Sequence, residues 1–356
     1  MAETSVHQPE MHGLPVRPMR QSRIVKRSPV YYGWVVWLVA TLGWIATAPG
    51  QAFSVSLFLD HFMRDFGLDR TTVSLLFGVG TFIAAFTLTW FGREIDKYGN
   101  RFIGVIVGAL FALSLVAWSW VAGPLALVVG FIAIRSLGQG ALSLVNTTVI
   151  AQWFRRRRGR VISISLMLFS LFQAAYVPWL EQMLATHDWR QVWILLGAGV
   201  ALTVVPLTWL LMRNRPEDYG MLPDGDAVTA ETNLENDAED HWTLAEAMRS
   251  VTFWIFVGGR VLTPMVGSGL ILHQVSIFAS LGHSPQTTAQ IYALTTILSA
   301  FWTLVFGWMT DRIAPGRILA LHSFGMALTL LMALVMVEQW MLVLYAFAFS
   351  IVLGGG

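Results

Sequence analysis

The sequence contains no cysteine, which excludes disulfides and thiolate metal sites and says nothing about redox compartment. Charge is scarce too: 12% of the 356 residues are Asp, Glu, Lys or Arg, against roughly 25% in an average soluble domain. No nucleophile–base set, metal-ligand spacing or phosphate-cradling glycine loop stands out. That argues against an enzyme and calls for no cofactor. None of the 21 acidic residues lies deep in an apolar stretch; they occupy tails, loops or stretch ends such as Glu181 and Glu338. Nor does a cleavable signal peptide open the chain, because a polar segment precedes an apolar stretch too long for an h-region.

Hydrophobicity is what the chain has in excess. Apolar residues make up 55% of it, and the mean hydropathy is +0.61. The expected class is an all-α integral membrane protein whose first partner is the lipid bilayer. Its 16 Trp and 7 Tyr supply interfacial belts, as Tyr31, Tyr32 and Trp34 do at the start of the first span. A pI near 9.1 raises the question of nucleic acid. The cations, however, sit at the ends of apolar stretches, where membrane topology needs them. The run Arg155–Arg158 with Arg160 reads the same way, as a topology anchor, so no nucleic-acid partner is expected.

Ten stretches read as membrane-spanning helices: roughly 31–59, 71–92, 102–121, 125–150, 161–181, 191–212, 252–281, 287–310, 317–337 and 340–356. Residues 1–30 form a basic, disordered tail, and 31–212 a half of six helices. The segment 213–250, rich in Asp, Glu, Asn, Pro and Gly, is a linker ending in a short interfacial helix. Residues 251–356 hold four helices of a second half. With the tail in the cytoplasm, the segments on that side carry 18 of the 23 Lys and Arg, the other side carries 3, and Arg135 and Arg260 lie within spans. This asymmetry predicts a multi-pass inner or plasma membrane protein with a cytoplasmic N-terminus.

Two turns repeat. Gly92-Arg93-Glu94-Ile95-Asp96-Lys97-Tyr98-Gly99-Asn100-Arg101 links the second and third spans. Gly307-Trp308-Met309-Thr310-Asp311-Arg312-Ile313-Ala314-Pro315-Gly316-Arg317 links the eighth and ninth, 215 positions on. Gly92 and Gly307 suit close packing at a helix end, and Gly99 suits a positive φ. Leu137-Gly138-Gln139-Gly140 likewise matches Leu353-Gly354-Gly355-Gly356 at an offset of 216. A duplicated protein is expected, ten spans being present of twelve, with the complete chain at roughly 425 to 430 residues.

The paired Gly-x-x-x-Asp-Lys/Arg turns resemble the signature loops of the major facilitator superfamily, and Arg135-Ser136-Leu137-Gly138-Gln139-Gly140 resembles its fourth-helix Arg motif. Tyr31-Tyr32-Gly33-Trp34, Asp65-Phe66-Gly67-Leu68-Asp69-Arg70, Gln152-Trp153-Phe154 and Asp188-Trp189-Arg190 are similar to bacterial monocarboxylate and oxalate/formate transporter relatives, as are His273 and Leu281-Gly282. The resemblance implies a bundle of six plus six helices that works by alternating access. It also implies that each loop Asp docks on a helix end of the opposite half. Asp311 is expected at the fifth span. Asp96 is expected at the eleventh, which this chain lacks, so an impaired inner gate is expected. Two departures stand out. The fifth span, Ser163 to Gln173, carries Phe and Leu where small residues are usual. The eighth, near Tyr292–Trp302, has no Arg, although carboxylate transporters of the group often have one there.

Arginine inside a bilayer costs about 2.5–3.5 kcal/mol on insertion scales and so faces a polar cavity by preference. Arg135 and Arg260 both fall near mid-membrane with no carboxylate at that depth, which favours an anionic substrate. Arg135 is either a substrate contact or a structural arginine holding carbonyls of a neighbouring helix, and Arg260 is open in the same way. At 100° per residue Arg260, Gly267, Ile271 and Gln274 share a face and His273 points away, unless Pro264, Gly267 and Gly269 break the helix. His273 reads as a proton-linked, ligand-binding or packed histidine. Pro49-Gly50-Gln51 interrupts the first span, where exposed backbone groups can serve a site. Gln51 and Gln173 are candidate cavity groups or helix–helix hydrogen bonds. The functional expectation is secondary active transport of a small organic anion, coupled to protons or a counter-anion. Export of drugs or hydrophobic solutes is the alternative, and a non-transporting membrane sensor the alternative of another class.

Overall fold

A bilayer leaves backbone N–H and C=O groups no partner but each other, so each apolar stretch closes into a helix. The computed structural model describes residues 22–225, 244–335 and 338–355, except the side chains at 264, 268–269, 271–273, 275–276, 279, 285–286, 288–289, 293 and 339. The tail expected over 1–30 and the middle of the linker therefore fall largely outside the described residues.

Ten long helices follow in order: α1 (Gly33–Phe66, interrupted), α2 (Arg70–Tyr98), α3 (Asn100–Trp120), α4 (Pro124–Trp153), α5 (Arg158–Thr186) and α6 (Trp189–Leu211). After the short helix Leu244–Arg249 come α7 (Val251–Ser280), α8 (Pro285–Thr310), α9 (Pro315–Val335) and α10 (Gln339–Gly354). No strand occurs among the described residues. Eight helices carry apolar windows long enough to cross a membrane, and the apolar parts of α7 and α10, Val251–Gly267 and Trp340–Gly354, are shorter. Several helices outrun the hydropathy pattern, α2 to Tyr98 and α5 to Thr186. Their polar last turns continue the backbone ladder into water without needing lipid.

One core cluster draws only on residues 32–212 and a second only on 270–352. Within the first, α3 and α6 meet along small residues. A Cβ on Gly197 would stand 2.9 Å from the Ala112 carbonyl, and one on Gly108 would stand 2.8 Å from Val204. At one end of this half, Asp65 accepts from Trp189 Nε1 at 2.9 Å and from Arg190 Nη1 at 2.8 Å, and the Arg190 guanidinium lies 4.2 Å from the Trp189 ring centroid. Two of the family-like motifs thus form one clasp between the end of α1 and the start of α6.

The opposite end, called here the basic face, carries Arg101, Arg155–Arg158 and Arg160. Among the described residues the two halves touch extensively only there, through α5 and α8. The expected fullness of α5 does not prevent this. Where the two helices approach most closely it presents Gly159 and Ser163 to Gly307.

Candidate functional site

The interruption of α1 is where backbone becomes available inside the bundle. Pro49 cannot donate, the helix tightens into a 3-10 turn over Ala48–Gly50, and Gln51 is extended at φ −84° and ψ 153°. Gly50 allows this turn to lie directly on α4, since a Cβ there would stand 2.8 Å from the Ile134 carbonyl. The next residue of α4 is Arg135. Its Nη1 donates to the Gly50 carbonyl at 3.4 Å, a long bond, and its guanidinium carbon lies 5.3 Å from the Phe77 ring centroid. Arg135 Nε and Ser136 Oγ are buried and have no partner among the described residues.

From Arg135 to Leu142 the backbone is π-helical. Such widened turns are rare and gather at functional sites. The turn spans the whole Arg135–Gly140 motif, and its glycines take close neighbours: a Cβ on Gly138 would press on the Phe111 ring at 2.6 Å. No sequence pattern announced it.

Beyond the break, Gln51 Nε2 donates to Thr47 Oγ1 at 3.1 Å, a bond within α1 rather than to a neighbouring helix. Ser54 Oγ donates to the Ala48 carbonyl at 2.6 Å and lies in hydrogen-bond range of Tyr176 Oη on α5, at 3.2 Å. Tyr176 belongs to an aromatic group: its ring stacks 5.4 Å from Phe172 and meets Phe53 edge-on at 6.1 Å. Gln173 is half-buried on the same helix. Ser54 and Tyr176 were not singled out from sequence, because a lone serine and a lone tyrosine in apolar helices carry no spacing signal.

The second arginine stands differently. Arg260, expected near mid-membrane as a substrate contact or a structural group, is exposed, its Nη1 donating to the Gly355 carbonyl at 3.5 Å. Gln274, expected on the same face, is only 3% exposed and its Nε2 has no partner among the described residues. The two residues do not meet at one surface. Pro264, Gly267 and Gly269 do not break α7: Val251–Ser280 is one continuous helix. The side chains of His273, Ile271 and Pro264 lie outside the described residues.

The two repeated turns are in different states. Asp311 accepts from Gly159 N at 2.7 Å, from Arg160 N at 3.2 Å and from Arg160 Nε at 2.9 Å, and its side chain is 6% exposed. The amides belong to the first turn of α5, whose own N-cap residue, Arg157, supplies no side-chain bond. The carboxylate therefore caps α5 from the other half, where the helix dipole favours negative charge. Gly307 makes room for the crossing: a Cβ there would overlap Ser163 and stand 2.9 Å from the Gly159 carbonyl. Arg312 lies over the Trp308 ring at 4.3 Å, while Gly316 and Arg317 are exposed in the first turn of α9.

In the first copy Asp96 is exposed with no bond among the described residues, and a Cβ on Gly92 would meet only Leu144 at 3.9 Å. The close packing expected at Gly92 is absent within these residues. Lys97 lies 4.8 Å from the Tyr98 ring centroid. Gly99 does hold φ +86°. Arg101 ties the turn to α6, its Nε and Nη2 donating to the Trp209 carbonyl at 2.9 and 2.7 Å, and its backbone N donates to Asn214 Oδ1 at 2.9 Å.

The model of the Major Facilitator Superfamily matches residues 39–356. Over 297 residues, 83% of this chain and 71% of the relative, the chain is 23% identical to the uncharacterized MFS-type transporter YhjX of Escherichia coli (strain K12). It is also 23% identical over 315 residues, 82% and 68% of the two lengths, to the gallate transporter of Pseudomonas putida. The fold is similar to that of the proton:xylose symporter XylE bound to 6-bromo-6-deoxy-D-glucose, with a TM-score of 0.64 at 15% identity, covering 91% of this chain and 80% of that one. The chain belongs to the Major Facilitator Superfamily, and it is a multi-pass membrane transporter rather than an enzyme.

Proposed function

We propose that the chain carries a small organic anion, of the monocarboxylate or oxalate/formate type, by alternating access, with the basic face in the cytoplasm. The observation that carries this reading is the unpartnered Arg135 Nε beside the broken α1. A guanidinium held on one side by the Gly50 carbonyl keeps donors for a planar, bidentate acceptor, which is what a carboxylate offers. No acidic residue stands at that depth to compete for it. The relative named as a gallate transporter fits the same chemistry, gallate being an aromatic carboxylate. Phe53, Phe172 and Tyr176 offer rings on which such a body can pack.

Alternating access needs a face that closes reversibly. The Asp311 cap on α5 has the form of such a closure, because three polar bonds and a glycine crossing can be made or lost as a unit. The charge asymmetry of the loops supports placing this face in the cytoplasm. The test is equilibrium binding and proteoliposome uptake of gallate, oxalate, formate and an organic cation, with and without a pH gradient, by the chain and by Arg135→Ala and Arg135→Lys. Saturable carboxylate binding that falls at least tenfold in Arg135→Ala supports the reading. Binding of the cation alone, or carboxylate binding indifferent to Arg135, overturns it.

A further inference from the structure

We propose that Asp224, in the segment after α6, is a positioning residue for closure of the basic face: it shapes the backbone that receives Asp311. This rests on the alternating-access reading of the Asp311 cap. Asp224 lies 13 residues beyond the end of α6 and, from sequence, in a polar linker. Residues 213–225 instead fold back over the first half.

Asp224 is 7% exposed, and its carboxylate accepts from three consecutive amides: Arg155 N at 2.9 Å, Arg156 N at 2.8 Å and Arg157 N at 3.2 Å. A carboxylate over successive amides is an anion nest filled from within the chain. Asp224 reaches it only by holding φ +60°, a left-handed conformation that costs a non-glycine residue energy and persists where its surroundings enforce it. Those surroundings are tied in several ways. Tyr31 Oη donates to the Trp153 carbonyl at 2.9 Å and to the Leu222 carbonyl at 3.1 Å. Trp153 Nε1 donates to the Arg213 carbonyl at 3.0 Å, and a Cβ on Gly225 would stand 3.0 Å from the Tyr31 ring.

Two carboxylates thus divide one run of backbone. Asp224, from the same half, holds residues 155–157, and Asp311, from the other half, takes the amides of 159 and 160. The second set follows directly on the first, and the helix supplies no cap of its own. With 155–157 held, Gly159 N and Arg160 N point at one place. Without the nest the basic turn is free to change its path, and the cap must order it on each closure. Asp224 acts on the gate without touching the other half.

The test uses the full chain, whose lack of cysteine lets two be introduced unambiguously, as Tyr98→Cys and Ala314→Cys on opposite halves of the basic face, for spin-label distance measurement in nanodiscs. Asp224→Asn is expected to raise the open-to-closed ratio about three- to tenfold, as for coupled neighbours. Asp311→Asn is expected to raise it as well, and the double variant to open no further than Asp311→Asn alone. Tyr31→Phe, which removes the hydroxyl ties, is expected to give a smaller shift in the same sense, and it carries the test if Asp224→Asn does not fold. Opening in Asp311→Asn with none in Asp224→Asn or Tyr31→Phe overturns this inference alone. So do effects of Asp224 and Asp311 that multiply in the double variant. No opening in Asp311→Asn overturns this inference and the reading of the cap together.

Discussion

Gly307→Ala tests the crossing of α5 and α8 with a single methyl group. The added carbon would overlap the Ser163 side chain and stand 2.9 Å from the Gly159 carbonyl, where ordinary contact begins near 3.4 Å. The helices must part by at least the 0.5 Å difference. Parting by that much stretches the Arg160 N to Asp311 bond from 3.2 to about 3.7 Å, beyond hydrogen-bonding range, and the Gly159 N bond from 2.7 to about 3.2 Å. Overpacking costs about 1–3 kcal/mol, and losing one charge-assisted bond adds to it. At 1.4 kcal/mol per tenfold, the closed basic face should lose roughly five- to more than a hundredfold in population against the open one. The assay is the distance distribution between spin labels at residues 98 and 314, with Gly258→Ala as control, since nothing lies within 4 Å of a Cβ at Gly258. Ser163→Gly in the Gly307→Ala background should restore part of the closure, because it removes the overlapping side chain and leaves the Gly159 carbonyl. A folded Gly307→Ala protein with the parent distribution would refute the reasoning.

Gly99→Ala is expected to lower the melting temperature of the chain, since φ +86° and the Asn214 side-chain amide, whose carbon would stand 2.7 Å from the new atom, both oppose it; a loss of about 1–3 kcal/mol follows from the backbone conformation alone. Gly199→Ala, with open space around it, should leave the melt unchanged or raise it. Asp69 caps α2 by accepting from the Thr72 hydroxyl and the Thr72 amide, bonds that hold its carboxyl below the usual 3.8. Because the folded value is the depressed one, the cap contributes above pH 3.8 and is lost as pH falls through the folded value. Fraying of the first turn of α2, read by amide exchange at Thr72, should therefore rise on acidification in the parent and be high at every pH in Asp69→Ala.

Much of the fold was legible in one dimension. Hydropathy marked all ten long helices, because lipid forces every long apolar stretch into the one conformation that satisfies its own backbone. The paired Asp turns were legible as well, and Asp311 lies on the first turn of α5 as expected. The break at Pro49 was readable because proline removes a donor wherever it stands. Arg260 was not readable: depth along a helix follows from counting residues, but which side a neighbour covers does not. The π-helical turn after Arg135 escaped notice for a related reason, since it depends on the close neighbours of α4 rather than on its own residues.

The sequence by itself determined that the chain spans a membrane, that its Asp turns repeat, and that Arg135 and Arg260 are the cations within its apolar stretches. These follow from solvation and covalent geometry, which act on each residue where it stands. Tertiary structure alone decided which of those arginines meets a broken helix, and that the turn before α5 is held by carboxylates from two directions. Both depend on groups far apart in sequence reaching hydrogen-bonding distance, and a spacing rule within one helix cannot express that.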